Sequence, residues 1–120
     1  MSHTCKAFVV MCMDFRFQKT FDQWLQKNLD QGNYDRVGYA GGVKDWEKVF
    51  SQIEISKRLH QIQEVILINH EDCGAYGSAG TPERHDHDLK EAREKVLKVF
   101  PDLKVSLYYA KLNGEMELIK

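Results

Sequence analysis

Cysteine is scarce in this chain, charge of either sign is balanced, and no apolar run approaches the roughly 20 residues of a membrane-spanning helix. Three cysteines are an odd count, and too few for a disulfide scaffold in 120 residues. A formal net charge of −1 gives no sign of the clustered basic face that favours nucleic acid. Met1 to Lys6 is short and polar, without the charged-then-apolar pattern of a signal peptide. Low-complexity tracts, internal repeats and a phosphate-loop Gly-Lys-Ser/Thr are also missing. The expectation is a single domain over residues 1–120, cytoplasmic, with neither nucleic acid nor membrane as a partner.

What the chain does have is a regular alternation of strand and helix patterns. Lys6 to Met11 reads as a central strand. Phe17, Phe21, Trp24, Leu25 and Leu29 then recur at helical spacing, and that helix should end before Gly32. Asp35 to Ala40 is a second, shorter strand closed by Gly41-Gly42. Trp46, Val49, Phe50 and Ile53 begin another amphipathic helix, continued through Ile55, Leu59 and Ile62. Glu64 to Asn69 is the third and most apolar strand. Thr81-Pro82-Glu83 is a helix start, with Leu89, Ala92, Val96 and Phe100 as its buried face and Pro101 as its stop. Lys104–Lys111 and Glu115–Ile119 flank Asn113-Gly114, a hairpin signal. The order implies an α/β fold: a mostly parallel central sheet flanked by helices on both faces, with an antiparallel edge hairpin.

Two segments carry chemistry. Cys12-Met13-Asp14-Phe15-Arg16 and His70-Glu71-Asp72-Cys73-Gly74 each follow a buried-strand pattern, so both fall at the carboxyl edge of a parallel sheet. Alone, His70 and Cys73 read equally well as a turn histidine and a buried thiol. Cys12 at the end of a neighbouring central strand shifts the balance: two thiolates and an imidazole favour zinc with an open fourth position. An iron–sulfur cluster, which usually takes four cysteines, is disfavoured.

Asp14 can cap the helix that follows it, or it can be gripped by the Arg16 fork and held beside the metal. Cys5 stands seven residues before Cys12, roughly 23 Å away along a strand and on its other face. It is therefore read as a small, half-buried residue outside the Cys12 site. The run His85-Asp86-His87-Asp88 is expected to be the solvated first turns of a helix, with a proton relay or second metal site as the alternative. The Gly74–Gly80 stretch should let the backbone turn closely round the metal. Trp24, Trp46 and Tyr108-Tyr109 are core or subunit-contact candidates.

Cys12-x-Asp14-x-Arg16 followed by His70-x-x-Cys73-Gly74 resembles the β-class carbonic anhydrases. The likeness extends to Ala40-Gly41-Gly42, to the run Glu64–Gly74 and to the strands around Asn113-Gly114. It differs at Gly38-Tyr39, where the family often has Arg-Asn, and at Met13 and Phe15, where small polar residues are typical. The resemblance implies Cys12, His70 and Cys73 as ligands of one zinc per chain, with Asp14 and Arg16 as a catalytic dyad. Ala40, Gly41, Gly42 and Gly74 would then line the substrate pocket. The implied reaction is reversible hydration of carbon dioxide to bicarbonate by a zinc-bound hydroxide, in a homodimer or higher even homo-oligomer. The alternatives are hydrolysis of carbonyl sulfide or carbon disulfide, or a non-catalytic zinc-stabilised binding module.

Overall fold

The computed structural model describes residues 3–120. Met1 and Ser2, the start of the polar stretch expected to carry no signal peptide, lie outside the described residues. Five strands form one sheet: β1 (Ala7–Met11), β2 (Tyr34–Gly38), β3 (Glu64–His70), β4 (Lys104–Ala110) and β5 (Met116–Ile119). Their spatial order is β2-β1-β3-β4-β5. All neighbours are parallel except β4 and β5, which pair antiparallel around a turn where Gly114 takes φ +92°. The expected α/β sheet with its antiparallel edge is the one observed.

Three helices connect the strands: α1 (Gln18–Asn28), α2 (Trp46–His60) and α3 (Pro82–Val99). Alternation along the strands divides the core in two. Phe8 and Val10 of β1, Val65 and Leu67 of β3 and Leu107 of β4 face α2 and α3, meeting Val49, Ile53, Leu89 and Val96. Val9, Met11, Ile66 and Ile68 point the other way, onto Phe17, Phe21 and Leu25. The Phe17-to-Leu29 periodicity thus buries one stripe of α1. At α3 the Thr81 hydroxyl accepts from the Arg84 amide at 3.1 Å, and Pro82 takes the first helical position, where its missing N–H costs nothing.

Two boundaries differ from the sequence pattern. β2 ends at Gly38, not Ala40, because Gly41 (φ +85°) and Gly42 (φ +63°) turn the chain and Gly42 N donates back to the Tyr39 carbonyl. α2 stops at His60, where Gln61 takes a left-handed φ of 54°. Ile62 is fully buried all the same, from the loop and not from the helix face. Local periodicity could not separate these cases, since a buried residue beside a helix end keeps the helical spacing.

Chain order sets the position of the site. The connection from β1 runs through α1 to β2 on one side, and the next, through α2, returns to β3 on the other. The carboxyl ends of β1 and β3 are therefore the topological switch point, where an open α/β sheet leaves a crevice. Cys12 follows β1, and His70 ends β3. Among the described residues, no helix is long and apolar enough to cross a membrane.

Candidate metal centre

Cys12, His70 and Cys73 converge at this crevice, each offering a ligand atom within 4.8 Å of the other two. All three are buried. His70 Nδ1 lies 2.7 Å from the Glu71 carbonyl, an acceptor only, so the proton belongs on Nδ1. Nε2 is left as a lone-pair donor, and this buried atom has no hydrogen-bond partner among the described residues. A buried, unpartnered imidazole nitrogen beside two buried thiols is what a bound cation would satisfy. The residues present fit a borderline-soft divalent ion.

The surroundings already favour ionising one thiol. Burial opposes it, but the His70 imidazole when it is protonated in the metal-free chain, the Gly41 amide (3.4 Å from Cys12 Sγ) and the Asp14 amide together bring the Cys12 thiol down to about 7. Burial pushes the Cys73 thiol up, and the nearby Cys12 adds to that.

Asp14 does both things the sequence allowed. Its Oδ1 accepts from the Arg16 backbone amide at 2.9 Å, capping the short 3-10 turn at Phe15–Phe17. The Arg16 fork also grips it, with Nη2 donating to Oδ2 at 2.7 Å and Nε sitting 3.2 Å from both oxygens. Hydrogen bonding from Arg16 outweighs burial and lowers the Asp14 carboxyl to about 2. Oδ2 lies 3.8 Å from His70 Nε2, beside the ligand cluster.

Arg16 reaches one residue that sequence reasoning missed. Nη1 donates to Asp72 Oδ2 at 3.0 Å, and Nη2 to the Asp72 carbonyl at 2.9 Å. One guanidinium thus ties the loop after β1 to the turn after β3, which fixes the ligand loops relative to each other. Asp72 sits at φ +57°, a left-handed conformation that Asp tolerates better than most residues. An Asp in the turn between His70 and Cys73 was the available signal.

An open cleft of about 600 Å³ leads to the cluster, lined by Cys12, Met13, Asp14, Phe15, Arg16, Ala40, Asp72, Gly74 and Ala75. Of the four expected pocket residues, Ala40 and Gly74 line this cleft. Gly41 and Gly42 do not; they shape the loop behind it. A Cβ on Gly42 would collide with the Asn69 side chain and the Ile68 carbonyl.

The expectation that His85 is solvated is wrong. Its side chain is 1% exposed, whereas His87 is exposed. Asn69, buried at the end of β3, explains the difference: its Oδ1 accepts from the Val43 amide at 3.1 Å, while Nδ2 lies 2.8 Å from His85 Nδ1 and 3.2 Å from the Tyr76 hydroxyl. Tyr76 in turn donates to Asp88 Oδ2 at 2.8 Å. This network braces the turn carrying Cys73, and the polar Asn69 closing the most apolar strand was its only trace in the sequence.

Burial, with His70 adding in the same direction, holds the His85 imidazole down at about 4. The unfolded chain takes up that proton near pH 6.5, the folded chain only near 4. Stability is therefore complete above about pH 6.5 and lost as pH falls through this window. Urea unfolding of the native chain should show a decline on the order of 3 kcal/mol between pH 7 and 4 from this group. His85→Gln, which does not titrate, should show a correspondingly shallower slope; equal slopes would contradict the assignment.

The family described as "Putative carbonic anhydrase" matches residues 2–120 of this sequence. The chain belongs to that carbonic anhydrase family. An uncharacterized protein of Rickettsia bellii is 28% identical over 94% of this chain and 80% of its own length. Among solved structures, the carbonic anhydrase from Glaciozyma antarctica superposes with a TM-score of 0.74 at 20% identity, covering 100% of this chain and 85% of that one. A carbon disulfide hydrolase in its apo form gives 0.65 at 16%, covering 100% and 81%. A tetrameric β-carbonic anhydrase of Sordaria macrospora gives 0.61 at 11%, covering 98% and 82%. The carbonic anhydrase fold thus spans the whole of this chain.

Proposed function

We propose that this carbonic anhydrase family member holds one zinc ion on Cys12, His70 and Cys73 and catalyses the reversible hydration of carbon dioxide to bicarbonate. The observation that carries the reading is the buried Cys-His-Cys cluster with an arginine-held carboxylate at its edge. A purely structural ion has no use for that dyad. When bound, zinc supplies the Lewis acidity that makes water nucleophilic near neutral pH. Asp14 Oδ2 accepts the hydrogen of the attacking water and turns its lone pair toward the carbon. Arg16 keeps that oxygen in place, and Asp72 keeps Arg16 in place. The glycine turn at Gly41-Gly42 brings an amide against Cys12 Sγ and moderates the thiolate's charge.

Stopped-flow carbon dioxide hydration, with zinc measured on the same samples, tests the proposal. The thiolates of Cys12 and Cys73 cancel most of a divalent ion's charge and weaken its pull on the proton of water, so the rate should rise toward alkaline pH. Zinc-replete protein no faster than buffer across the range would reject it. Carbonyl sulfide and carbon disulfide are the second substrates to try, because the cleft rim carries Met13 and Phe15 and a carbon disulfide hydrolase shares the fold.

We also propose a homodimer or larger even homo-oligomer. Of the aromatic residues on and beside the first two helices, Phe21 is fully buried within the chain, and Phe17, in the turn before α1, nearly so. Trp24 packs on Tyr108, and Trp46 on Phe50. Among the described residues the two most exposed large apolar side chains are Phe15, 86% exposed, and Met13, 66% exposed, both at the cleft mouth. Sedimentation equilibrium should find the oligomer, weakened by Phe15→Asp; a native chain that is monomeric at micromolar concentration would contradict it.

A further inference from the structure

Cys5 was set apart from the Cys12 site, and the structure places it in a second cluster at the opposite end of the sheet. Cys5, Asp35 and His60 each offer a ligand atom within 4.8 Å of the others. Three separate elements bring them together. Cys5 stands two residues before β1, and its amide donates to the His60 carbonyl at 3.1 Å. Asp35 lies in β2, opposite Phe8 of β1. His60 is the last residue of α2, one turn beyond Ser56, so both reach Asp35 from the same helix face.

Hydrogen bonding accounts for part of this arrangement. Ser56 Oγ donates to Asp35 Oδ2 at 2.6 Å, and His60 Nδ1 lies 2.7 Å from the same oxygen. The Cys5 thiol lies 3.7 Å from the Ala7 carbonyl and also interacts with the Asp35 carboxylate. The thiol, the carboxylate and the imidazole thus meet at one point, each holding a proton or lone pair that a metal ion could replace or accept.

A nucleophilic role for Cys5 does not fit. Burial and the adjacent Asp35 push its thiol up, opposite to what an attacking thiolate needs. A cation would offset both effects. The carboxyl-terminal end of the α2 dipole also favours positive charge at this point.

We infer that Cys5, Asp35 and His60 form a second site for a borderline divalent metal ion such as zinc, distinct from the Cys12 centre. One thiolate, one imidazole and one carboxylate suit zinc and exclude the all-oxygen preference of magnesium or calcium. Tetrahedral coordination at 2.0–2.3 Å sets donors roughly 3.3–3.8 Å apart, so atoms at the 4.8 Å limit need draw in by about an ångström while the 2.7 Å His60–Asp35 hydrogen bond opens. Binding releases the Cys5 proton and clamps the amino-terminal segment, β2 and α2 to one another. The site is partly open to solvent, so it should fill from added metal and be empty after purification without it.

The test is equilibrium dialysis of the native chain against free zinc, beside Cys5→Ser and His60→Gln. The native chain should take up about one more zinc per chain than either variant. Zinc should also raise the melting temperature of the native chain more than that of Cys5→Ser. Because only the difference from the variants is read, the result does not depend on whether the Cys12 centre is loaded. Uptake by Cys5→Ser equal to the native chain would overturn the inference and leave the cluster a hydrogen-bond network. If His60→Gln folds poorly, Cys5→Ser, a near-isosteric change at a half-buried position, decides the matter alone.

Discussion

Asp14→Asn should keep its zinc and lose nearly all carbon dioxide hydration, with kcat/KM falling about 10²- to 10³-fold. The asparagine amide retains the size of the carboxylate and one acceptor oxygen, but presents N–H where water's hydrogen must be accepted. Arg16→Ala should fall by a similar factor for a different reason. It removes every Arg16 side-chain bond to Asp14 and both bonds to Asp72, so the carboxylate loses its fixed orientation and can swing onto the metal. Arg16→Lys separates charge from geometry, since an ammonium cannot hold Asp14 in a fork and reach Asp72 as well. Steady-state hydration kinetics with zinc content on the same samples make the check. Activity within a few-fold of native in zinc-loaded Asp14→Asn would remove the dyad from the reaction.

Cys73→Ser should lose most of its copurified zinc and much of its stability. Removing one thiolate leaves two ligands, and metal that binds only the folded chain contributes its binding energy to folding. At zinc a thousandfold above the dissociation constant, that contribution is about 4 kcal/mol. Cys73→Ser should therefore melt well below the native chain in the presence of zinc, and a chelator should erase the difference. Cys5→Ser should keep the copurified zinc unchanged, because its cluster lies at the other end of the sheet. Elemental analysis and thermal melts with and without chelator read both results. A native chain purified without chelator and found free of metal would refute the centre.

The sequence made the five-stranded alternation legible because its causes are local. Period-two and helical spacing mark most of the buried faces, though Ile55 and Leu59 of α2, read as part of one, are exposed, and Thr81-Pro82 and Asn113-Gly114 carry turn chemistry within a few residues. The positions of Cys12, His70 and Cys73 were legible for a similar reason: each follows an apolar strand, and parallel strands end at one edge. Asp14 and Arg16 were readable as a pair two residues apart.

What escaped the sequence depends on partners far along the chain. Arg16 meets Asp72 across 56 positions, and Asp35 meets His60 across 25. Residues 85–88 look like a solvated charged turn until the fold sets His85 under Tyr76 and against Asn69. Cys5 looked solitary because strand geometry separates it from Cys12, and only the return of α2 over β1 and β2 supplies its neighbours. By itself, then, the sequence determined the elements, their order and the meeting of Cys12, His70 and Cys73 at one sheet edge, since these follow from local periodicity and from where strands end. The tertiary structure alone decided which distant polar groups face each other, because side-chain contact across a sheet depends on register and crossover, which no local pattern encodes.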